Sequence, residues 1–546
     1  MSGGLDHSPK GGLAPVSQRV MNLSHFARQA ARRHGADIAF VWGEQQWTWT
    51  AFDRRVDAMA AALAARGIGK GDRVLVQSKN CNQMFESMFA CFRIGAVWVP
   101  TNFRQTPDDV AYLGAASGAV AMICHSECPD HATAARAAAP AIRVLIEIGG
   151  ATFGEDYDAL VRAHDGAAVT EADVTRDDPC WFFFTSGTTG RPKAAVLTHG
   201  QMAFVITNHL CDLMPGTTSA DASLVVAPLS HGAGIHALVQ TARAVKTVLP
   251  ASDRFDVDEA WRLVECCRIT NMFTVPTILK MLAEHPSVDA YDHSSLRYVI
   301  YAGAPMYRED QKRALGKLGK VLVQYFGLGE VTGNITVLPP ALHDAEDHPT
   351  ARIGTCGFAR TGMQISIQDD QGHERAPGET GEICVCGPAV FAGYYDNPEA
   401  NAKAFRDGWF RTGDLGHVDA EGFLYITGRA SDMYISGGSN IYPREIEEKL
   451  LTHPALAEVA VVGVPDPTWG EVGVAVCVLA EGAQLNEPEL LAWADGKVAR
   501  YKLPKRVVFW DALPKSAYGK ITKKAVRDEL AARGLLPLDK PAAAAG

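Results

Sequence analysis

The sequence predicts an α/β protein: a large N-terminal domain of layered α/β subdomains with a β-rich subdomain, then a small C-terminal α+β domain. Three observations carry this. Helical and strand periods alternate up to about residue 302, short alternating strands take over near residue 364, and the texture shifts again after Gly428-Arg429.

The alternation is plain in the first part. Residues 52–65 place apolar side chains at helical spacing, and the apolar run 73–77 after Gly71-Asp72 reads as a buried strand. It recurs as 85–94 helical, 96–100 extended, 108–117 helical and 119–124 extended. Residues 257–267 are again helical, 271–275 extended, and 296–302 a further strand. Parallel strands need such crossover helices, so a layered parallel sheet is expected. Residues 364–369, 381–386 and 422–427 then alternate with turn residues, which predicts a β-rich subdomain in the form of a small barrel. Last come a helix over 446–451, strands over 458–463 and 472–479, and a helix over 487–498. The expected boundaries are a disordered 1–20, an N-terminal domain 21–430, a C-terminal domain 431–536 and a frayed tail 537–546.

Composition narrows the function. A chain of 546 residues is too long for one simple core. Its net charge of −10, with no domain-sized basic field, argues against nucleic acid as a partner. The first 19 residues lack the apolar core of a signal peptide, and the apolar stretch 88–100 is too short and is broken by Arg93, so no transmembrane segment is expected and a cytoplasmic location is. The twelve cysteines are scattered without the paired spacing of a zinc site and read as reduced thiols.

Residues 182–200 hold the densest chemistry: FFFTSGTTGRPKAAVLTHG. An apolar strand runs into Thr185-Ser186-Gly187-Thr188-Thr189-Gly190, and Lys193 follows before a second apolar run. Glycines let the backbone turn and present N–H groups, the hydroxyls add adaptable donors and the lysine adds charge, so a polyphosphate fits. The spacing is not that of a Walker A loop, which needs Gly-Lys-Ser/Thr together. TSGTTGRPK resembles the phosphate loop of the AMP-forming superfamily, which holds acyl-CoA synthetases, peptide-synthetase adenylation domains and luciferases. The resemblance extends from about residue 22 to 529, with Ala194 where a glycine is commoner.

The resemblance carries roles to further residues. His231, in Pro228-Leu229-Ser230-His231-Gly232-Ala233-Gly234, matches a residue beside the acyl carboxylate. Gly303-Ala304-Pro305 matches a turn along the adenine. In Gln324-Tyr325-Phe326-Gly327-Leu328-Gly329-Glu330, Phe326 matches an aromatic on adenine, Tyr325 and Gly327 flank it, and Glu330 matches the Mg²⁺ carboxylate. Gly329 departs from the usual threonine, at the loss of one hydrogen bond, roughly 1 kcal/mol. Asp414 and Arg429 match ribose and phosphate contacts, Ser431 a hinge where Lys or Asp is usual, and Gly437-Gly438 the loop that lines the coenzyme A tunnel. Lys520, in Pro514-Lys515-Ser516-Ala517-Tyr518-Gly519-Lys520, matches a lysine that reaches the carboxylate and α-phosphate. The acyl pocket is expected to be walled by His231, Val275, Ala302, Met306 and Gly327, mostly apolar.

What the resemblance implies is an acyl-CoA synthetase with an N-terminal AMP-binding domain 21–430 and a mobile catalytic C-terminal domain 431–536. ATP would activate an aliphatic or aryl carboxylic acid to an acyl adenylate with loss of pyrophosphate, and coenzyme A would then take the acyl group. The catalytic residues would be Lys520, Thr185, Glu330 and His231, with ATP, Mg²⁺ and coenzyme A as cofactor and co-substrates. A standalone ligase that loads a carrier protein, a luciferase-like oxygenase and a non-catalytic nucleotide-binding regulator are the alternatives. The acyl chain length and the oligomeric state, a homodimer included, are not legible.

Overall fold

The computed structural model describes residues 19–185, 191–252, 254–304, 306–437, 439–515 and 521–536. Three large sheets organise them. The first has seven strands in the order Lys193–Thr198, Pro179–Thr185, Val97–Pro100, Arg73–Gln77, Ala121–His125, Val144–Ile148 and Glu155–Asp156. All of its neighbours run parallel except the first pair, which forms an antiparallel hairpin. The helices Asn82–Arg93 and Pro107–Ser117 are crossovers in this sheet, as the alternation predicts. Thr106 and Asp109 make a reciprocal cap on the second, Pro107 opens it, and Gly118 closes it in the left-handed region.

The second sheet has 14 strands. Six of them, Ile38–Trp42, Lys246–Leu249, Ala222–Val225, Asn271–Thr274, Tyr298–Tyr301 and Leu322–Phe326, run parallel. The helix Val257–Cys267 lies between two of these in sequence, capped by Asp256. The short strands beyond residue 336 correct the barrel expectation. Thr336–Leu338, Thr355–Ala359, Phe423–Arg429, Trp409–Val418, Gly381–Cys386 and Gln364–Gln368 extend this same sheet antiparallel, one after another. The local alternation was right; the partner was an existing sheet edge, which short-range pattern does not encode.

The third sheet has five strands, built on the long hairpin Leu456–Asp466 and Gly470–Leu479. Tyr434–Ser436, itself paired with Ser439–Ile441, and Arg506–Phe509 both join the free edge of Gly470–Leu479, the first at Gly470 and the second along 474–477, with helices Pro443–Leu450, Glu487–Ala494 and Lys523–Ala532. It has its own apolar clusters, one around Ile446, Leu450, Val461 and Leu490 and one around Val462, Val474, Val526 and Leu530. At the other end of the chain, Arg19–Val20 pair with Val174–Thr175, so the expected disorder of 1–20 does not hold at those two residues, and 1–18 lie outside the described set.

Arg93, which interrupts the apolar stretch 88–100, is wholly buried and paired with Asp53 and with Asp57 at 2.9 Å. A paired guanidinium inside a globular layer explains the interruption, and no helix among the described residues is long and apolar enough to cross a membrane.

Among the described residues four histidines are also buried. Burial pushes His199, His236 and His343 down to about 4 and His209 well below its ordinary value. Below pH 6.5 the unfolded chain therefore binds protons that the folded chain refuses. Stability holds above that pH and is lost as pH falls towards 4, on the order of 3 kcal/mol for each of the first three. A melting-temperature profile should drop steeply between pH 6.5 and 4; a flat profile would show these rings to be solvated.

Candidate active site

The hairpin Pro179–Thr185 and Lys193–Thr198 sets Thr185 directly opposite Lys193. Ser186, Gly187, Thr188, Thr189 and Gly190, which come between them in sequence, lie outside the described residues. Phe182 and Phe184 face the core of the first sheet and Thr198 caps the helix His199–Asp212, so both strands are anchored behind the turn.

Glu330 comes to Thr185 from the second sheet. It sits in the short helical turn Gly329–Val331 and is 5% exposed. Thr185 donates its hydroxyl to Glu330 Oε1 at 2.7 Å, and Tyr394 donates to the same oxygen at 2.9 Å. Among the described residues, Oε2 carries no hydrogen bond. A carboxylate steadied through one oxygen and open at the other is the donor set a hard divalent cation takes. Lys193 Nζ lies 4.6 Å from the centre of the Tyr394 ring, a cation–π contact. Burial, reinforced by Glu330, raises the Tyr394 hydroxyl well above its ordinary range and keeps it a donor.

Tyr394 is a site residue that sequence reasoning missed. It stands in an ordinary Gly393-Tyr394-Tyr395 segment, and only tertiary pairing of Tyr394 with Ala195 delivers it. Tyr394→Phe should lower adenylation roughly ten-fold, the worth of one hydrogen bond to a charged group. Pyrophosphate exchange at saturating acid measures it, and wild-type exchange would show the hydroxyl to be idle.

His231 precedes the helix Gly232–Ala242 and its Nδ1 lies 2.9 Å from Ser230 Oγ. Its ring meets Phe183 edge-on at 5.1 Å, and Phe183 in turn occupies the space beside Gly329. A Cβ at 329 would lie 2.7 Å from two ring carbons of Phe183 and 2.7 Å from the Thr185 methyl. The missing threonine therefore leaves no gap there: Phe183 and Thr185 take its room. Phe183 is a second contributor that the motif did not reveal.

Gly303 follows the strand Tyr298–Tyr301 with φ +85°, and the neighbour that a side chain there would meet is Val275, 3.9 Å away. Ala302 is buried beside it, Ala304 is exposed, and Pro305 lies outside the described residues. Tyr325 and Phe326 alternate across their strand. Phe326 is half-buried, whereas Tyr325 turns inward and stacks on Phe273 at 6.0 Å. The structure therefore keeps the Tyr325 ring apart from Phe326. Met306 lines a cleft with Tyr307, Arg308 and Arg444.

Asp414 and Arg429 are cross-strand neighbours joined at 3.1 Å, with Asp414 buried and Arg429 exposed. Ser431 is exposed in the turn that leaves this sheet, its Oγ 3.4 Å from Asp432. Gly437, φ +55°, donates its N–H to the Trp469 carbonyl at 2.9 Å and lies against the Trp469 ring, which is 49% exposed. Gly438 and Lys520 lie outside the described residues.

A buried carboxylate braced by two hydroxyls at the end of a hairpin is a donor set suited to a cation-bound phosphate. Comparison with known proteins gives the family. Residues 26–395 match the AMP-binding enzyme model and residues 445–520 the AMP-binding enzyme C-terminal domain. The chain belongs to the AMP-binding enzyme family. It is 38% identical to a feruloyl-CoA synthase of Amycolatopsis over 93% of this chain and 99% of that one. It is 35% identical to an indoleacetate–CoA ligase of Aromatoleum aromaticum, over 94% and 98%. Among solved structures, o-succinylbenzoate CoA synthetase of Bacillus subtilis with its acyl-adenylate intermediate superposes with a TM-score of 0.82 at 29% identity, over 94% and 99%.

Proposed function

We propose that this protein is an AMP-forming acid–CoA ligase that activates an aliphatic or aryl carboxylic acid and passes it to coenzyme A. The observation that carries the proposal is the Glu330 carboxylate held by Thr185 and Tyr394 at the mouth of the hairpin, with Lys193 across it. The two curated relatives named above act on aryl acids by their names, which supports the aryl member of the pair.

A carboxylate is a poor acyl donor because its leaving group would be oxide. In the first half-reaction its oxygen attacks the α-phosphorus of ATP, the bond to the β-phosphate oxygen breaks, and pyrophosphate leaves. The acid is already ionised near neutral pH, so no general base is needed. Thr185, Lys193 and Lys520 would stabilise charge on the phosphoryl oxygens, and His231 would stand beside the acid. Glu330 would hold Mg²⁺, whose bound charge would offset that of the polyphosphate. Asp414 would accept the ribose hydroxyls. In the second half-reaction the coenzyme A thiol attacks the acyl carbonyl and AMP leaves, with the Gly437-Gly438 loop and the exposed Trp469 face beside the thiol arm. Ser431 would be the pivot between the two arrangements. ATP and coenzyme A are drawn from the cytoplasm, where we place the protein.

The test is exchange of labelled pyrophosphate into ATP across a broad panel of carboxylic acids, followed by thioester formation with coenzyme A and, separately, with a carrier protein. Exchange with some acids and transfer to coenzyme A are expected. Failure with every acid would overturn the proposal, and transfer to carrier protein alone would move it to the carrier-loading ligases.

A further inference from the structure

The unit built on the third sheet holds a largely buried lysine that the mechanism above does not use. Lys523 opens the helix Lys523–Ala532, whose first turn has no acidic residue. The positive end of the helix dipole disfavours a cation there, and burial disfavours it again. Yet the Lys523 side chain is 13% exposed, and its Nζ is paired with Glu447 Oε1, on a side chain 9% exposed. Burial pulls the Lys523 ammonium below its ordinary value, and Asp432, the neighbour of Ser431, opposes the fall. A buried ion pair adds little net stability over apolar packing of the same volume, so its presence points to geometry rather than to stability.

What the pair joins gives it a role. Glu447 lies in the helix Pro443–Leu450, which follows the strand Ser439–Ile441 and so comes directly after Gly437-Gly438. The same Oε1 accepts the backbone N–H of Val461 at 2.6 Å, which fastens this helix to the long hairpin. At the other end of the pair, Lys523 follows Lys520 closely in sequence. Lys515 and Ile521, the described residues on either side of 516–520, pair with each other. Ile521 packs on the apolar cluster around Val462 and Leu530. Lys515 Nζ meets Glu458 Oε1 at 2.5 Å, in the same strand as Val461, but those side chains are 39% and 33% exposed. Solvent screens that contact, so the Lys523 pair is the firmer of the two attachments.

We infer, resting on the acid-activating reading and on the role it gives Lys520, that Lys523 and Glu447 are positioning residues for adenylation: their ion pair fixes the stem from which Lys520 reaches the α-phosphate. They act through Lys520 rather than on the substrate. An ammonium that meets charge developing in a transition state must be held in place beforehand, and a misplacement of about 1 Å costs on the order of 10²-fold. Glu447 keeps its own bond to Val461 when the lysine is removed, so the helix behind the Gly437-Gly438 loop stays where it is. The pair is therefore needed by the first half-reaction and not by the second.

The experiment measures acid-dependent pyrophosphate exchange and thioester formation from a supplied acyl adenylate for wild type, Lys523→Met, Lys523→Arg and Lys520→Ala. Lys523→Met is expected to lower the kcat of exchange by about 10- to 100-fold. Its KM for ATP and acid, and its thioester formation, should stay within about three-fold of wild type. Lys523→Arg keeps the charge and should restore most of the exchange. Should Lys523→Met not fold, the double variant Glu447→Gln with Lys523→Met removes both charges and is read in the same way. Equal losses in both half-reactions, a loss confined to KM, wild-type exchange in Lys523→Met, or an arginine variant as impaired as the methionine one overturns this inference alone. No exchange by wild type with any acid, or wild-type exchange in Lys520→Ala, overturns the parent reading and this inference with it.

Discussion

Replacing Lys520 with alanine should lower acid-dependent pyrophosphate exchange by roughly 10²–10³-fold, the range found for removing a charge-stabilising donor from an active site. The same variant should largely spare thioester formation from a supplied acyl adenylate. The asymmetry follows from the chemistry. Negative charge gathers on the α-phosphoryl oxygens only while pyrophosphate departs, so a lysine ammonium contributes most to that half-reaction. In the second, a neutral carbonyl is attacked by a thiol and a cation at the α-phosphate has less to offset. Lys520 belongs to a five-residue segment bracketed by paired Lys515 and Ile521 in the small third-sheet unit. That unit also carries Gly437 and the exposed Trp469. The two functions would thus be mounted on one block and used in turn. Equal losses in both half-reactions would refute the division of labour.

Gly329→Thr should cost activity at least ten-fold even though threonine is the commoner residue there in the resemblance. The new Cβ would press on Phe183 and Thr185. Phe183 cannot simply retreat, since its ring is packed between Trp181 at 5.8 Å and His231 at 5.1 Å. The insertion would push His231 from the acid or Thr185 from Glu330, and overpacking of this kind costs about 1–3 kcal/mol. Phe183→Ala in the same chain opens the space, and the double variant should recover most of the lost exchange. A fully active Gly329→Thr single variant would show that the site relaxes more than its packing implies.

How much of this was legible beforehand varies with the range of the interactions. The helix 257–267 coincides with Val257–Cys267, and the strand 381–386 with Gly381–Cys386, because local periodicity and capping decide such elements. The motif residues Thr185 and Glu330 were found far apart in sequence and are brought within one hydrogen bond. Tyr394 and Phe183 were invisible because each acts through a neighbour that only tertiary packing supplies. Tyr325 was placed with the nucleotide by adjacency to Phe326, but strand alternation sends its ring to the opposite side, into the polar cluster with His209 and Arg360. The barrel failed for a related reason: a strand's period does not say which edge it joins.

The ion pair between Asp414 and Arg429 has a mechanical corollary. Arg429 ends the last strand of the great sheet, two positions before Ser431 and five before the first strand of the small unit. A sugar bound at the Asp414 oxygens, as proposed above, would compete with the guanidinium that holds one of them. On the proposed reading, occupancy by nucleotide would tug on the residue that leads into the small unit, and loading of the large body would be felt at Ser431 without a separate messenger.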